Sequence, residues 1–327
     1  MSTILVVGGA GYIGSHMVQR LSADGEEVLV LDDLSSGHRD AVGGAQLFQG
    51  DLGDRDLLEM IFSRRRIDLV MHFASYIQVG ESVRDPGRYY RNNFASTLTL
   101  LEVMVRYEVR AFVFSSSAAI YGNVPPEPIP EDQPAAPLNP YGHSKRMVEV
   151  TLADFDTAYD LRSMCLRYFN AAGADPHARL GERHDPETHL IPLVLQVAAG
   201  RRAAVQVFGT DYPTPDGTCI RDYIHVCDLC DAHALAMRHL LGGGASRVYN
   251  LGNGSGFSVR EVIDAAARVT GRPIAVEQAP RRPGDAAMLV ADARRIREEL
   301  NWTPRHPQLD TIVGHAWAWE RQKGKAW

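Results

Sequence analysis

Tyr141 and Lys145 stand four residues apart in Tyr-Gly-His-Ser-Lys, and the residues after them read as helix, with Asn139-Pro140 as its start. That spacing puts both side chains on one helix face. A phenol with an ordinary pKa near about 10 is a poor base at neutral pH. An ammonium one turn away favours the phenolate and pulls that pKa down. The pair is thereby suited to move a proton to or from a hydroxyl. The same spacing also arises by chance on surface helices, so its meaning rests on the elements around it.

Those elements begin at once. Residues 3–7 form a short apolar run expected to be a buried parallel strand. Gly8-Gly9-Ala10-Gly11-Tyr12-Ile13-Gly14 follows, then a helical stripe of Ile13, Met17, Val18 and Leu21. The glycines fit both Gly9-x-Gly11-x-x-Gly14 and Gly8-x-x-Gly11-x-x-Gly14. Either lets backbone N–H groups approach a pyrophosphate at a helix N-terminus. A second strand over 28–31 ends in Asp32-Asp33. Asp32 lies 18 residues past Gly14, where a carboxylate holds an adenosine ribose 2′-OH and disfavours a 2′-phosphate. NAD rather than NADP is the expected cofactor; Arg39, the nearest arginine, is too weak a signal to reverse this.

Further strands are expected over 46–49, 67–72 and 111–114. They run into Gly50-Asp51-Leu52, Phe73-Ala74-Ser75 and Ser115-Ser116-Ser117, with helices between them, notably over 89–107. The alternation predicts an α/β fold, a Rossmann-like doubly wound parallel sheet. Ligands of such sheets bind beyond the carboxyl ends of the strands, so Asp32, Asp51, Ala74 and Ser117 converge on one crevice. Residues 124–140 hold seven prolines, which excludes regular helix and central strand. We read a stiff surface loop joining Ser117 to Tyr141, rather than an inter-domain linker.

A sixth strand over 163–167 leads into Tyr168-Phe169-Asn170-Ala171-Ala172-Gly173-Ala174. Beyond it, residues 175–187 are polar, without recognisable metal-ligand spacing, and read as loop. A helix over 190–199, a strand over 205–208, a helix ending near 241, a strand over 248–251 and a last helix near 310–322 complete the pattern. Ser258-x-x-Glu261 has the form of a capping box. The expected division is a cofactor domain over 1–170, to which the chain returns near 218–252, and a smaller mixed α/β substrate domain mainly over 171–327.

Composition narrows the class. A chain of 327 residues with a formal charge of −6 can bury a large core and is not charged like a nucleic-acid binder. No run long and apolar enough for a membrane span occurs, and the opening residues pass into a strand without a basic leader. Four cysteines without a regular framework point to reduced thiols and the cytoplasm. Cys227-x-x-Cys230 has no second pair and reads as structural; the twelve histidines are scattered, and none is assigned to a metal.

Taken together, Gly8-x-x-Gly11-x-x-Gly14, Asp32, Asp51-Leu52, Ser117 and Tyr141-x-x-x-Lys145 resemble the extended short-chain dehydrogenase/reductase family. His72-Phe73-Ala74, Val79-Gly80-Glu81-Ser82-Val83, the stretch over 167–174, Arg221-Asp222-Tyr223-Ile224-His225-Val226 and Arg282-Pro283-Gly284-Asp285 are similar to its nucleotide-sugar 4-epimerases. The resemblance implies bound NAD, UDP-glucose and UDP-galactose as substrates, and a homodimer built through a four-helix bundle, here from helices near 89–107 and 141–159. It implies that Ser117 binds the sugar 4-oxygen, Tyr141 is the acid/base, and Lys145 holds the nicotinamide ribose. Cofactor contacts would come from Gly8, Gly11, Tyr12, Ile13, Gly14, Asp32, Asp33, Asp51, Leu52, Phe73, Ala74, Ser75, Asn93, Ser115 and Tyr168. Substrate contacts would come from Asn170, His189, Leu190, Gln206, Phe208, Arg221, Arg282, Asp285 and Leu289, the arginines near the diphosphate. His189 stands where some members carry asparagine, and Ile77 where some carry a lysine that reaches the cofactor. Leu289, four places after Asp285, would gate the space beside the sugar C2 substituent, or else begin a core strand with Val290.

Rival readings inside the fold are 4,6-dehydratases and UDP-glucuronate decarboxylases, which need acidic residues after Ser117 where this chain has Ala118 and Ala119. A UDP-glucuronate 4-epimerase is disfavoured by Asn170-Ala171-Ala172-Gly173. A UDP-N-acetylhexosamine epimerase remains open. From another class, a non-catalytic dinucleotide sensor has no need of Ser117, Tyr141 and Lys145 together.

Overall fold

The computed structural model describes residues 1–323 apart from Pro126, Pro283 and Gly284. The Pro-Gly pair of the expected substrate loop over 282–285 lies outside the described residues. Strands β1 (Thr3–Val7), β2 (Glu27–Asp32), β3 (Gln46–Gln49), β4 (Leu69–His72), β5 (Ala111–Ser117) and β6 (Arg162–Tyr168) join Arg247–Leu251 in a seven-stranded sheet. Across the sheet the order is Arg247–Leu251, β6, β5, β4, β1, β2, β3, and every pairing is parallel. The chain builds outward one way from β1 and the other way from β4. The order therefore reverses between β1 and β4, which opens a crevice at their carboxyl ends.

Alternation along each strand feeds two cores. Ile4, Val6, Val30 and Met71 pack with Met17, Leu21, Leu229 and Met237 from the helices Tyr12–Ala23 and Val226–Leu241. Leu5, Val7, Val70 and Phe112 pack on the other face with Leu58, Leu100, Met104, Val148 and Leu152. Burial on both faces is why these strands read as continuous apolar runs. A third core, with Val194, Leu195, Val262, Ile312 and Val313, lies in the second half of the chain. There Asn170–Ala172 pairs with Tyr223–His225, Val205–Phe208 with Val276–Ala279, and Ile220–Arg221 lies between Phe257–Ser258 and Met288–Leu289. Ser258 and Glu261 form the expected capping box. Among the described residues, no helix is long and apolar enough to cross a membrane.

Three local expectations differ from the structure. The fifth strand does not stop at Phe114: Ser115, Ser116 and Ser117 continue the pairing with β6 and are buried. Their hydroxyls are satisfied inside, Ser116 donating to Glu149 at 2.6 Å and Ser115 bonding the Tyr168 hydroxyl. The fourth strand starts at Leu69, because its pairing with β1 begins opposite Ile4; one residue earlier, at the start of β1, Asp68 meets Thr3, its N–H donating to the Thr3 carbonyl and its carboxylate accepting the Thr3 N–H, both at 2.9 Å. The helix expected over 89–107 is interrupted by a π-helical turn, Tyr90–Ala95, before Ser96–Arg106. Such turns often mark functional sites, and this one carries Asn93 into the interior.

Candidate active site

The crevice between β1 and β4 is a cleft of about 660 Å³. Gly11 is the N-cap of the helix Tyr12–Ala23, which has neither a capping side chain nor an acidic residue in its first turn. Its free N–H groups and dipole are left for an anion. Gly8 has φ 78°, and a Cβ on it would come 2.5 Å from the Ala74 backbone N; one on Gly14 would overlap the Gly8 carbonyl oxygen. The loops after β1 and β4 thus meet backbone to backbone, which only glycine permits.

Asp32 closes this end. Its carboxylate accepts the N–H groups of Ala10 and Leu34, both at 2.9 Å. Burial raises its pKa, and these two hydrogen bonds oppose the rise. It lines the cleft together with Asp33, Asp51 and Leu52. A helix N-terminus open to a pyrophosphate beside a carboxylate open to a ribose fits an adenine dinucleotide.

Across the cleft, the Asn139 side chain accepts the Gly142 N–H at 2.9 Å and Pro140 opens the helix Pro140–Tyr159. This cap fixes Tyr141 and Lys145 in the first turns, facing the end of β5. Lys145 Nζ donates to Ser75 Oγ and to the Ser115 carbonyl oxygen, both at 2.7 Å. Burial lowers its pKa to about 7, against the pull of Glu149. Nζ lies 6.0 Å from the centroid of the Tyr141 ring. Burial raises the Tyr141 phenol, and a hydrogen bond with Ser117 counters it. The expected lowering of Tyr141 by Lys145 is therefore not the balance found here, because the ammonium is engaged by Ser75 and Ser115 and is itself weakened by burial.

The comparisons with known proteins bear on this constellation. The family model for the NAD dependent epimerase/dehydratase family matches residues 4–252. The chain belongs to that family. A UDP-glucose 4-epimerase of Halalkalibacterium halodurans is 53% identical over 319 residues, covering 98% of this chain and 96% of that protein. A UDP-glucose 4-epimerase from Brucella ovis, solved in complex with NAD, superposes with a TM-score of 0.95 at 46% identity, over 97% of this chain and 98% of that one. Its counterpart from Bifidobacterium longum, solved with NAD⁺ and UDP, gives 0.94 at 39% identity over 100% of both chains.

In this epimerase/dehydratase family member the cleft also brings together Tyr12, Ile13, Phe73, Ala74, Ser75, Tyr168, Asn170, His189, Arg221 and Leu289. Ser117, Tyr141 and Lys145 lie among them. Other expected contacts are not cleft lining. Asn93 is 1% exposed; its amide spans the Tyr76 backbone, accepting N–H at 2.9 Å and donating to C=O at 3.0 Å, and also donates to Ser144. Through these bonds it braces the wall of the cleft. Ser115 acts through its carbonyl on Lys145. Leu190, Gln206, Phe208, Arg282 and Asp285 stand outside the lining. Gln206 is exposed on a strand edge, the Arg282 guanidinium lies 3.8 Å over the Phe208 ring, and Asp285 pairs with Arg221 at 3.4 Å. Asp285, whose N–H also donates to the Arg282 carbonyl at 3.3 Å, links the Arg282 and Phe208 pair to Arg221.

Sequence reading missed Tyr76, Arg88, Glu182 and His184, all of which line the cleft. Arg88 lies 4.1 Å over the Tyr76 ring and pairs with Glu81, close to Ile77, whose apolar side chain also lines the cleft. Glu182 and His184 sit in the polar stretch read as loop; the available signal was the alternation Glu182-x-His184-x-x-Glu187-x-His189. His189 is held by Glu182 at 2.7 Å and Glu187 at 3.0 Å, which raise its pKa to about 10 although burial lowers it. Cys227 and Cys230 are free thiols, Cys230 fully in the core.

Proposed function

We propose that this protein is an NAD-dependent UDP-glucose 4-epimerase, interconverting UDP-glucose and UDP-galactose. The observation that carries the reading is the convergence of Ser117, Tyr141 and Lys145 on a cleft with a dinucleotide cradle at its other end. Relatives of that printed name cover nearly the whole chain.

Bound NAD supplies the acceptor and donor of the C4 hydride. Tyr141 takes the proton of the sugar 4-OH and returns it, while Ser117 hydrogen-bonds that oxygen and the phenol. Lys145 orients the nicotinamide ribose. Arg221, supported by Asp285, meets the diphosphate, and Asn170 and His189 line its path. A 4-keto sugar must turn over within the cleft before the hydride returns to its other face, so there is no net oxidation. Ala118 and Ala119 follow Ser117 without an acid, which supports epimerisation over dehydration.

The division into a cofactor unit over 1–170, rejoined near 218–252, and a substrate unit over the rest belongs to the same reading. So does a homodimer through a four-helix bundle, which exposed Met147 and Val150 on the helix Pro140–Tyr159 support. Service in galactose metabolism and cytoplasmic residence complete it, the latter supported by four free cysteines. Incubation with UDP-galactose and detection of UDP-glucose tests the activity. No conversion by NAD-loaded protein would leave the dinucleotide sensor.

A further inference from the structure

We propose that Glu182, His184, Glu187 and His189 form a binding site for a divalent transition cation, zinc foremost, that pins the loop over 182–189 beside the cleft. One donor atom from each residue lies within 4.8 Å of those of all the others. His184 Nδ1 is 2.9 Å and His189 Nδ1 2.7 Å from Glu182 Oε1, and His189 Nδ1 is 3.0 Å from Glu187 Oε1. With bonds of about 2.0–2.1 Å, donors of a tetrahedral zinc lie about 3.3 Å apart. The three close pairs would open by a few tenths of an ångström, while the wider pairs, none beyond 4.8 Å, would draw in.

The chemistry of the donors points the same way. Two imidazoles and two carboxylates suit zinc and its neighbours, not the all-oxygen shells of magnesium or calcium. The Glu182 and Glu187 side chains are only 7% and 6% exposed. Buried carboxylates need a paired charge or a metal; here both histidines meet them through the same ring nitrogen, Nδ1, and a cation would take the proton's place at those contacts. All four donors come from eight consecutive residues that form neither helix nor strand. The start of this stretch is tied to other parts of the chain: Arg183 to Asp40 at 2.8 Å, the His38 ring to the Arg183 carbonyl at 3.1 Å, and the Trp319 indole to the Glu182 carbonyl at 3.1 Å. A cation bridging Glu182 to His189 would anchor the rest of the irregular segment to that tied start. Glu182, His184 and His189 also line the cleft, but zinc uptake is read on the loop itself and does not depend on the proposed reaction.

The test uses untagged, NAD-loaded protein, stripped with a chelator and titrated with zinc chloride. We expect one zinc per chain, retained through gel filtration, and a Tm higher by a few degrees than that of the stripped protein. Glu187→Gln and His184→Gln should each weaken zinc binding at least about 100-fold while leaving the near-UV circular dichroism of the stripped protein unchanged. Cobalt(II) should give the visible bands of a four-coordinate site in the wild type. Absence of stoichiometric uptake, or equal uptake by the two variants, overturns the proposal. If neither variant folds, the wild-type cobalt spectrum decides: purely six-coordinate, aqua-like bands would dismiss the site.

Discussion

The Lys145 ammonium donates to the Ser115 carbonyl oxygen at 2.7 Å, joining the helix that carries Tyr141 to the strand that ends in Ser117. The same nitrogen reaches Ser75 Oγ in the loop after β4. One side chain thus connects the three segments that meet at the reacting end of the cleft. Lys145→Met should lower kcat by at least about 100-fold and also speed loss of NAD. Steady-state rates and the cofactor retained through gel filtration measure the two effects; a variant that loses activity while keeping NAD as tightly as wild type would confine Lys145 to proton transfer.

Tyr141→Phe keeps the ring and removes the proton carrier. Turnover should fall roughly 10²–10⁴-fold with NAD still bound. Because burial raises the phenol above its ordinary value, the phenolate fraction grows with pH, and wild-type kcat/KM should climb from pH 6 to 8. A pH–rate profile should lose that limb in the variant; unchanged epimerisation would remove Tyr141 from the mechanism.

Asp32 presents a carboxylate where a ribose 2′-phosphate would bring more negative charge. Titration of apo-protein should find NAD bound at least about 100-fold more tightly than NADP, a like-charge clash costing several kcal/mol. Asp32→Asn should narrow that gap. Equal affinities in the wild type would mean that Asp32 does not face the ribose.

Leu289 lines the cleft and packs against the cluster of Ala118, Ile120, Tyr121 and Ile129. It ends the strand Met288–Leu289 instead of beginning one with Val290, because the pairing with Ile220–Arg221 stops there; its place in the lining is what a gate requires. A bulkier C2 substituent would require repacking that costs on the order of 1–3 kcal/mol. We expect UDP-glucose and UDP-galactose to be preferred over UDP-N-acetylglucosamine, Leu289→Ser to raise activity on the N-acetyl sugar, and Leu289→Tyr to abolish it. Ratios of kcat/KM that do not move across the three proteins would show that Leu289 is no gate.

Acid should unfold the protein from a mildly low pH. Burial lowers His72 and His225 to about 3 and His233 to about 4. Their folded pKa values lie below the unfolded value of about 6.5, so between these limits the unfolded chain binds more protons. The stabilisation is complete above the unfolded pKa and is lost as pH falls. Three such groups lower the unfolding free energy by up to about 4 kcal/mol per pH unit near pH 5. Urea midpoints between pH 7.5 and 4.5 should drop accordingly; a flat profile would mean that these imidazoles are protonated when folded.

How far sequence reached follows from the physics of each part. β1, β2 and β4 were legible because both faces are buried and the apolar runs are unbroken. The glycine loop and Asp32 were legible because only certain residues tolerate their backbone and charge environments. Ser115 to Ser117 looked like a strand end, because a polar run says nothing of the Glu149 and Tyr168 partners that satisfy it inside. The partners of the Asn93 amide, the Tyr76 backbone and Ser144, lie far from it in sequence, so that bracing is visible only in three dimensions. The 182–189 stretch lacks periodicity, so its convergence became visible only in space.

The strand Arg247–Leu251 pairs with β6, which places the last piece of the parallel sheet some eighty residues downstream of its neighbour. During synthesis the β6 edge, just beside the end of β5 that carries Ser117, must therefore wait as an open hydrogen-bonding template until that strand has left the ribosome. Unpaired edges are where nascent chains meet the wrong partners. A chain that ends before residue 247 would present the β6 edge without this strand.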